Sequence, residues 1–243
     1  MAKENNSFKN LPQVPWPAGD LLKGVFEMRK YLQLFLAASL LTGCSFAEAD
    51  SNKTEKSTVI NGSPTKKNTD VYVPNPQVSE DISLHKVGDS IIDDKGELTL
   101  KSMKEVNKTF QVNGIEYTVK DVKLLHFVPA YSLIDFFHAY THEEEFDFVK
   151  ISVELKNHSN ENYHFGPVAM VKINGSIHKT WEDDFYLENL NGEISAGQTK
   201  LGSLGFIVEE LDSLDKVELL SGDIVDDNKK KVADPVSLVV NGN

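Results

Sequence analysis

From residue 85 onward, apolar and polar positions alternate with a period of two. The stretches 98–103 (LTLKSM), 116–125 (EYTVKDVKLL) and 146–155 (FDFVKISVEL) each place apolar side chains on one face and polar ones on the other, the pattern of a half-buried strand. Shorter apolar stretches at 169–173, 202–208, 216–220 and 236–240 predict further strands. Asn113-Gly114, Asn174-Gly175 and Asn191-Gly192 each lie between strand-like residues. Both positions of such a pair tolerate the positive φ of a two-residue hairpin turn, so each predicts a hairpin. Asp226-Asp227-Asn228 predicts another turn ahead of Lys229, Lys230 and Lys231. Seven or eight short strands in about 150 residues predict an all-β domain, an immunoglobulin-like antiparallel β-sandwich over 81–243. One stretch breaks the pattern. Residues 129–145 (PAYSLIDFFHAYTHEEE) are too long and aromatic for a plain strand connection and predict a short helical insertion.

The N-terminal part follows another pattern. From Met28 the chain reads MRKYLQLFLAASLLTGCS: Arg29 and Lys30, an apolar run from Tyr31 to Leu41, then small residues up to Cys44. That order is the tripartite plan of a secretion signal. The run is about 11 to 13 residues long and a spanning helix needs about 20, so a permanent membrane span is disfavoured. Leu41-Thr42-Gly43-Cys44 resembles the bacterial lipobox, an aliphatic residue and two small ones before an obligatory cysteine. A thiol is nucleophilic enough to be alkylated to a thioether by a phospholipid donor, and small neighbours let the peptide lie extended in an intramembrane protease. At about 0.8 kcal/mol per buried methylene, two or three acyl chains would anchor the protein almost irreversibly. The reading is a signal peptide at 28–43 and a covalent diacylglycerol on Cys44, with no other cofactor called for. The mature chain would then sit on the extracytoplasmic face of the cell membrane. Residues 1–27, polar and carrying Pro12, Pro15 and Pro17, are expected to be an unstructured extension upstream of a translation start at Met28.

Residues 44–80 read as a tether. They are rich in Ser, Asn, Thr, Lys and Pro, and such a composition cannot bury enough surface to offset its ordering entropy. A coil of about 36 residues has a root-mean-square reach of about 30 to 35 Å, enough to lift the following domain off a membrane. Charge narrows the partners. Of 25 Lys and Arg and 37 Asp and Glu, 20 and 34 lie beyond residue 43, and so acidic a body repels nucleic acid and anionic lipid headgroups. The single cysteine excludes an internal disulfide, a zinc ribbon and a redox pair.

Candidate chemistry concentrates in the insertion. On a helix, Asp135, His138 and His142 fall at i, i+3 and i+7 on one face, with Glu143, Glu144 and Glu145 beyond. Two imidazoles and a carboxylate so placed could hold a divalent transition metal, although Glu144 does not complete the HExxH pattern of zinc proteases. The plainer expectation is an amphipathic helix packing Leu133, Phe136, Phe137 and Tyr140 on the sandwich or on a partner. Glu182-Asp183-Asp184, beside Trp181 and Phe185-Tyr186, reads as a solvated acidic loop next to core aromatics, with oxygen ligands for calcium as the sharper option. Gly202-Ser203-Leu204-Gly205 falls short of a nucleophile elbow, and the chain carries neither a phosphate-cradling glycine loop nor a dinucleotide fingerprint. A non-catalytic binding module contacting an envelope protein or ligand is the leading expectation. A metal-binding lipoprotein comes second, and a hydrolase assembled from distant Ser, His and Asp third.

A family resemblance rests on four strings. These are Tyr117-Thr118-Val119 through Val122; the run from Phe148 through Val149-Lys150-Ile151-Ser152-Val153-Glu154-Leu155-Lys156 to Asn157; Ile194-Ser195-Ala196-Gly197-Gln198; and Gly205-Phe206-Ile207-Val208. Together they look like a family of Gram-positive lipoproteins carrying an immunoglobulin-like domain of unknown function, related in fold to a secreted mycobacterial antigen. The resemblance covers about residues 96 to 240. It implies a β-sandwich outside the membrane, and it carries no catalytic residues to transfer.

Overall fold

The structure, a computed structural model, describes residues 75–242. The extension, the signal, the lipobox with Leu41, Thr42, Gly43 and Cys44, and the tether up to residue 74 lie outside the described residues. In chain order the strands are β1 (Ser90–Asp93), β2 (Gly96–Val112), β3 (Ile115–Pro129), β4 (Phe146–Asn157), β5 (Tyr163–Phe165), β6 (Met170–Ile173) and β7 (Ile177–Thr180). They continue with β8 (Gly192–Ile194), β9 (Thr199–Glu209), β10 (Lys216–Leu220), β11 (Ile224–Asp226), β12 (Lys231–Ala233) and β13 (Ser237–Asn241). A single α-helical turn, α1 (Ile134–Phe137), follows a 3₁₀ turn at Tyr131–Leu133 between β3 and β4. The all-β sandwich with one short helix is therefore as the alternation predicts.

The main sheet has five strands in the order β1-β2-β3-β4-β9. Two four-stranded sheets, β13-β10-β6-β7 and β12-β11-β5-β8, accompany it. The strand pairings among the described residues are antiparallel. Successive side chains of a strand point to opposite faces, so the main sheet feeds two separate cores. Val122, Leu124, Val149, Ile151, Leu204 and Phe206 pack with Phe165, Ile173, Val217 and Leu219 of the smaller sheets. Their neighbours Leu125, Phe127, Phe146, Phe148 and Ile207 pack on the other side with Val78, Leu84, Phe137, Phe185 and Tyr186. The first six residues of β4 are buried without interruption because both faces are covered there, and the alternation returns only beyond Ile151.

Two of the three Asn-Gly pairs close hairpins. Asn113 and Gly114 (φ 48° and 83°) join β2 to β3, and Asn174 and Gly175 (φ 47° and 74°) join β6 to β7. Asn191-Gly192 does not: Gly192 opens β8, which pairs with β5, a strand distant in sequence. The turn at Asp226-Asp227-Asn228 joins β11 to β12, with Asp226 accepting from the N–H groups of Asn228 and Lys230.

The insertion is less helical than expected. The α-helix stops after Phe137, where the N–H of His138 donates to the carbonyl of Ile134 and the N–H of Tyr140 donates to that of Phe137. One turn fixes several dihedral pairs for few hydrogen bonds, and no side chain caps this one, so tertiary packing of Phe137 must hold it. Packing also starts earlier than composition suggests. Asn75, Val78, Ser79 and Asp81 are buried against the domain although most of them belong to the stretch read as tether.

Candidate functional site

The aromatic residues of the insertion are spent largely on the fold. Phe137, 1% exposed, meets Phe127, Phe146 and Phe185 at ring-centroid distances of 5.6, 5.1 and 5.6 Å. Phe136 stacks edge-on to Phe137 at 5.0 Å, and Tyr140 approaches Phe185 at 6.1 Å. Phe137 is thus unavailable to a partner, which corrects the expectation of a contact there, and Phe136 and Tyr140 are half-buried. Asp135, His138 and His142 are exposed. With the helix ending at Phe137, His142 no longer shares a helical face with the other two, and no group of three His, Cys, Asp or Glu side chains is placed to hold a metal among the described residues.

What the insertion does present is Tyr131, 91% exposed. It follows Val128, which stands in a cross-strand row with Glu97 and Ile92 on the main sheet. Ile92 is 74% exposed and Val128 36%, with the exposed Glu97 between them, so this end of the sheet carries exposed aliphatic side chains around a carboxylate. Sequence reasoning missed it, because alternation predicts which residues share a face and not where the covering sheets stop.

The next row along the same face is Ser90, Thr99, His126 and Asp147. Asp147, 1% exposed, accepts from Lys101 Nζ at 2.7 Å and from the Leu211 N–H at 2.7 Å, and its Oδ1 lies 2.9 Å from His126 Nδ1. A buried carboxylate therefore fixes the imidazole. The other ring nitrogen, Nε2, faces Glu145 Oε2 at 3.9 Å, while the Ser90 and Thr99 hydroxyls pair with each other at 2.7 Å. A serine hydrolase needs a hydroxyl on that nitrogen, and this geometry offers it a carboxylate.

A second polar cluster sits on the opposite face of the main sheet. Lys123 of β3 and Lys150 of β4 are directly opposed across the ladder, both nearly buried, and Asp81 bridges them. Its Oδ2 accepts from Lys123 Nζ at 2.7 Å and its Oδ1 from Lys150 Nζ. Burial pushes the Asp81 carboxyl up, but the two ammonium groups outweigh it and hold the pKa below its usual value. Lys150 Nζ also lies 5.7 Å from the centroid of the Tyr186 ring.

The acidic loop is only partly solvated. Asp183 Oδ2 accepts from the N–H and the hydroxyl of Thr180, capping its 3₁₀ turn, while Asp184 turns inward beside Phe185 and Tyr186. Burial pushes Asp184 up to about 6 even though it accepts from the N–H groups of Gly205 and Tyr186, and Glu188 adds to the rise. This loop explains both glycines of the failed elbow. A Cβ on Gly205 would sit 2.3 Å from the Tyr186 ring, and one on Gly202 would sit 2.6 Å from Glu188 Oε2. The strand is bare there because the loop lies flat on it.

Fold and surface together define an antiparallel β-sandwich whose buried charged groups fasten loops to the main sheet. The chain belongs to the family described as "Domain of unknown function (DUF4352)", whose model matches residues 104–231. It is similar to "Uncharacterized protein YdhF" of Bacillus subtilis (strain 168), 41% identical over 228 residues, covering 85% of this chain and 97% of that protein. Among solved structures, a functionally unknown protein from Listeria monocytogenes EGD-e aligns with a TM-score of 0.45 at 14% identity, over 61% of this chain and 89% of its own. A conserved hypothetical protein from Bacillus anthracis aligns with a TM-score of 0.32 at 17% identity, over 54% of this chain and 94% of its own.

Proposed function

We propose that this protein is a lipid-anchored, non-catalytic interaction module on the outer face of the cell membrane. The observation that carries the reading is Leu41-Thr42-Gly43-Cys44, standing directly after a basic and then apolar signal-like run. Three features support it. An acidic β-sandwich is repelled by anionic headgroups and so calls for a covalent means of attachment, and the polar stretch after Cys44 suits a spacer. The apolar run before Cys44 is too short for a permanent span, so attachment through Cys44 would be the means of retention, and among the described residues no helix is long and apolar enough to cross a membrane. The exposed residues Ile92, Glu97, Val128 and Tyr131 form the surface that this reading gives to a protein partner of the envelope. The metal-binding alternative is set aside, because Asp135, His138 and His142 are not assembled.

Detergent phase partition and mass spectrometry test the anchor. The wild-type chain is expected in the detergent phase with Cys44 acylated at its N-terminus, and Cys44→Ala in the aqueous phase or unprocessed. A bare thiol on a chain that still carries residues 1–43 would sink the reading. For the contact surface, a photo-crosslinking residue at position 131 in intact cells is expected to give a discrete adduct that Ile92→Ser with Val128→Ser abolishes. Absence of any adduct would refute the assignment.

A further inference from the structure

Residues 75–84 form no strand, yet they lie in a groove with defined walls. The floor is the main sheet at Lys123 and Lys150. One wall is the β1–β2 turn, where Lys95 Nζ donates to the carbonyls of Asn75 at 2.8 Å and Val78 at 3.1 Å, and Asp93 accepts from the Ser79 hydroxyl at 2.7 Å. The other wall is the acidic loop, where the Asn75 side chain donates to the carbonyl of Tyr186 at 3.0 Å. Within the segment, Val78, Asp81 and Leu84 are 1%, 4% and 2% exposed, while Ile82 between them is 72% exposed. Asn75, Val78, Asp81 and Leu84 are thus buried at a spacing of three, with Ser79 buried beside Val78, so that the carboxylate is flanked on each side by an aliphatic anchor.

That is how a bound linear peptide looks, held by pockets for chosen side chains and by capture of its backbone carbonyls. The floor shows the same bias. Like charges directly opposed on neighbouring strands repel, so Lys123 and Lys150 side by side make a poor fold element unless a carboxylate is delivered between them. It comes from a segment 42 residues away from one lysine and 69 from the other. We infer that this groove is a peptide-acceptor surface occupied in cis by the chain's own residues 75–84. The partner it fits is an extended acidic peptide with an aliphatic residue three positions on either side of an Asp or Glu. The cis segment competes with such a partner, an autoinhibitory contact at the point where the polar N-terminal stretch meets the domain. The inference is independent of lipid anchoring.

The turn at Lys86, Val87 and Gly88 is exposed and allows a direct test. A protease site placed there in the full chain permits the segment to be cut from β1, and a fluorescent peptide of residues 75–86 is then added. The labelled peptide is expected to exchange into the cut protein, and its Asp81→Asn version to enter at least about tenfold more weakly, the loss of a charge-assisted hydrogen bond. A Lys123→Met, Lys150→Met background should erase that discrimination. Uncut wild type should take up the peptide far less than cut protein. Three results would overturn the inference: the cut sandwich unfolds, making 75–84 an integral part of the fold; the peptide fails to exchange; or the Asp81→Asn peptide enters equally well.

Discussion

Asp184 shows what one buried carboxylate does to the pH dependence of the whole domain. Its folded pKa, about 6, lies above its ordinary value of 3.8. Between these two values the folded state holds the proton more firmly, so stability rises as pH falls through about 6 and is worth about 3 kcal/mol when fully gained. Asn at this position still accepts from Gly205 and Tyr186 but carries no charge. Asp184→Asn is therefore expected to raise the melting temperature at pH 7.5 and to flatten the gain that wild type shows on acidification to pH 5; equal slopes for both would sink the idea. This residue was only half legible. Glu182, Asp183 and Asp184 read alike as a solvated triplet, and what separates the third is its attachment to Phe185 and Tyr186, which must be buried and draw their neighbour in with them. Lys123 and Lys150 read as polar alternates of half-buried strands, and only the second core packed on that face shows them to be buried. Their partner left no trace, because Asp81 stands at the first residue of the expected domain, just past the tether and ahead of the alternation that begins at residue 85.

Long strands and hairpins were readable because a period of two and an Asn-Gly pair are local properties. The failures have a common cause. At Asn191-Gly192 the correct turn chemistry occurs, but the strand that follows pairs far away in sequence, so local geometry does not decide the partner. In the insertion the helical spacing of Asp135, His138 and His142 was real, yet a chain this short gains more from seating Phe137 between Phe127, Phe146 and Phe185 than from extending a helix. This division of labour gives two contrasting expectations in chemical denaturation. Phe137→Ala should cost about 3 to 5 kcal/mol through the cavity it leaves, whereas Tyr131→Ala should change stability by less than about 0.5 kcal/mol. Gly205→Ala tests the loop packing: with the Tyr186 ring 2.3 Å from the new Cβ, a loss of about 1 to 3 kcal/mol is expected. A neutral Gly205→Ala would mean that the loop does not lie on β9.

At the scale of the molecule, the main sheet is a shared layer between two cores, and the second is completed by peripheral pieces: residues 75–84, the insertion and the acidic loop. Those pieces are fastened by polar contacts more than by ladders, and the Asp81 bridge is the fastening whose removal should be felt furthest. Asp81→Asn alone strands two opposed ammonium groups in a nearly dry site, at an expected cost of about 3 to 5 kcal/mol. Replacing all three groups together, as Asp81→Leu, Lys123→Met and Lys150→Met, removes both the attraction and the desolvation it offsets. That triple variant should match wild type or exceed it by about 1 to 4 kcal/mol in a urea melt. The pH profile supplies the sign. Because Asp81 titrates below its ordinary 3.8 when folded, its contribution is present above that value and is lost as pH falls through the lower folded pKa. The triple variant should lack that part of the acid limb while keeping the Asp184 gain near pH 6. If the single substitution proved harmless, or the triple variant as damaged as the single, the bridge would not be what fastens the N-terminal segment, and the second core would have to be closed by Val78 and Leu84 alone.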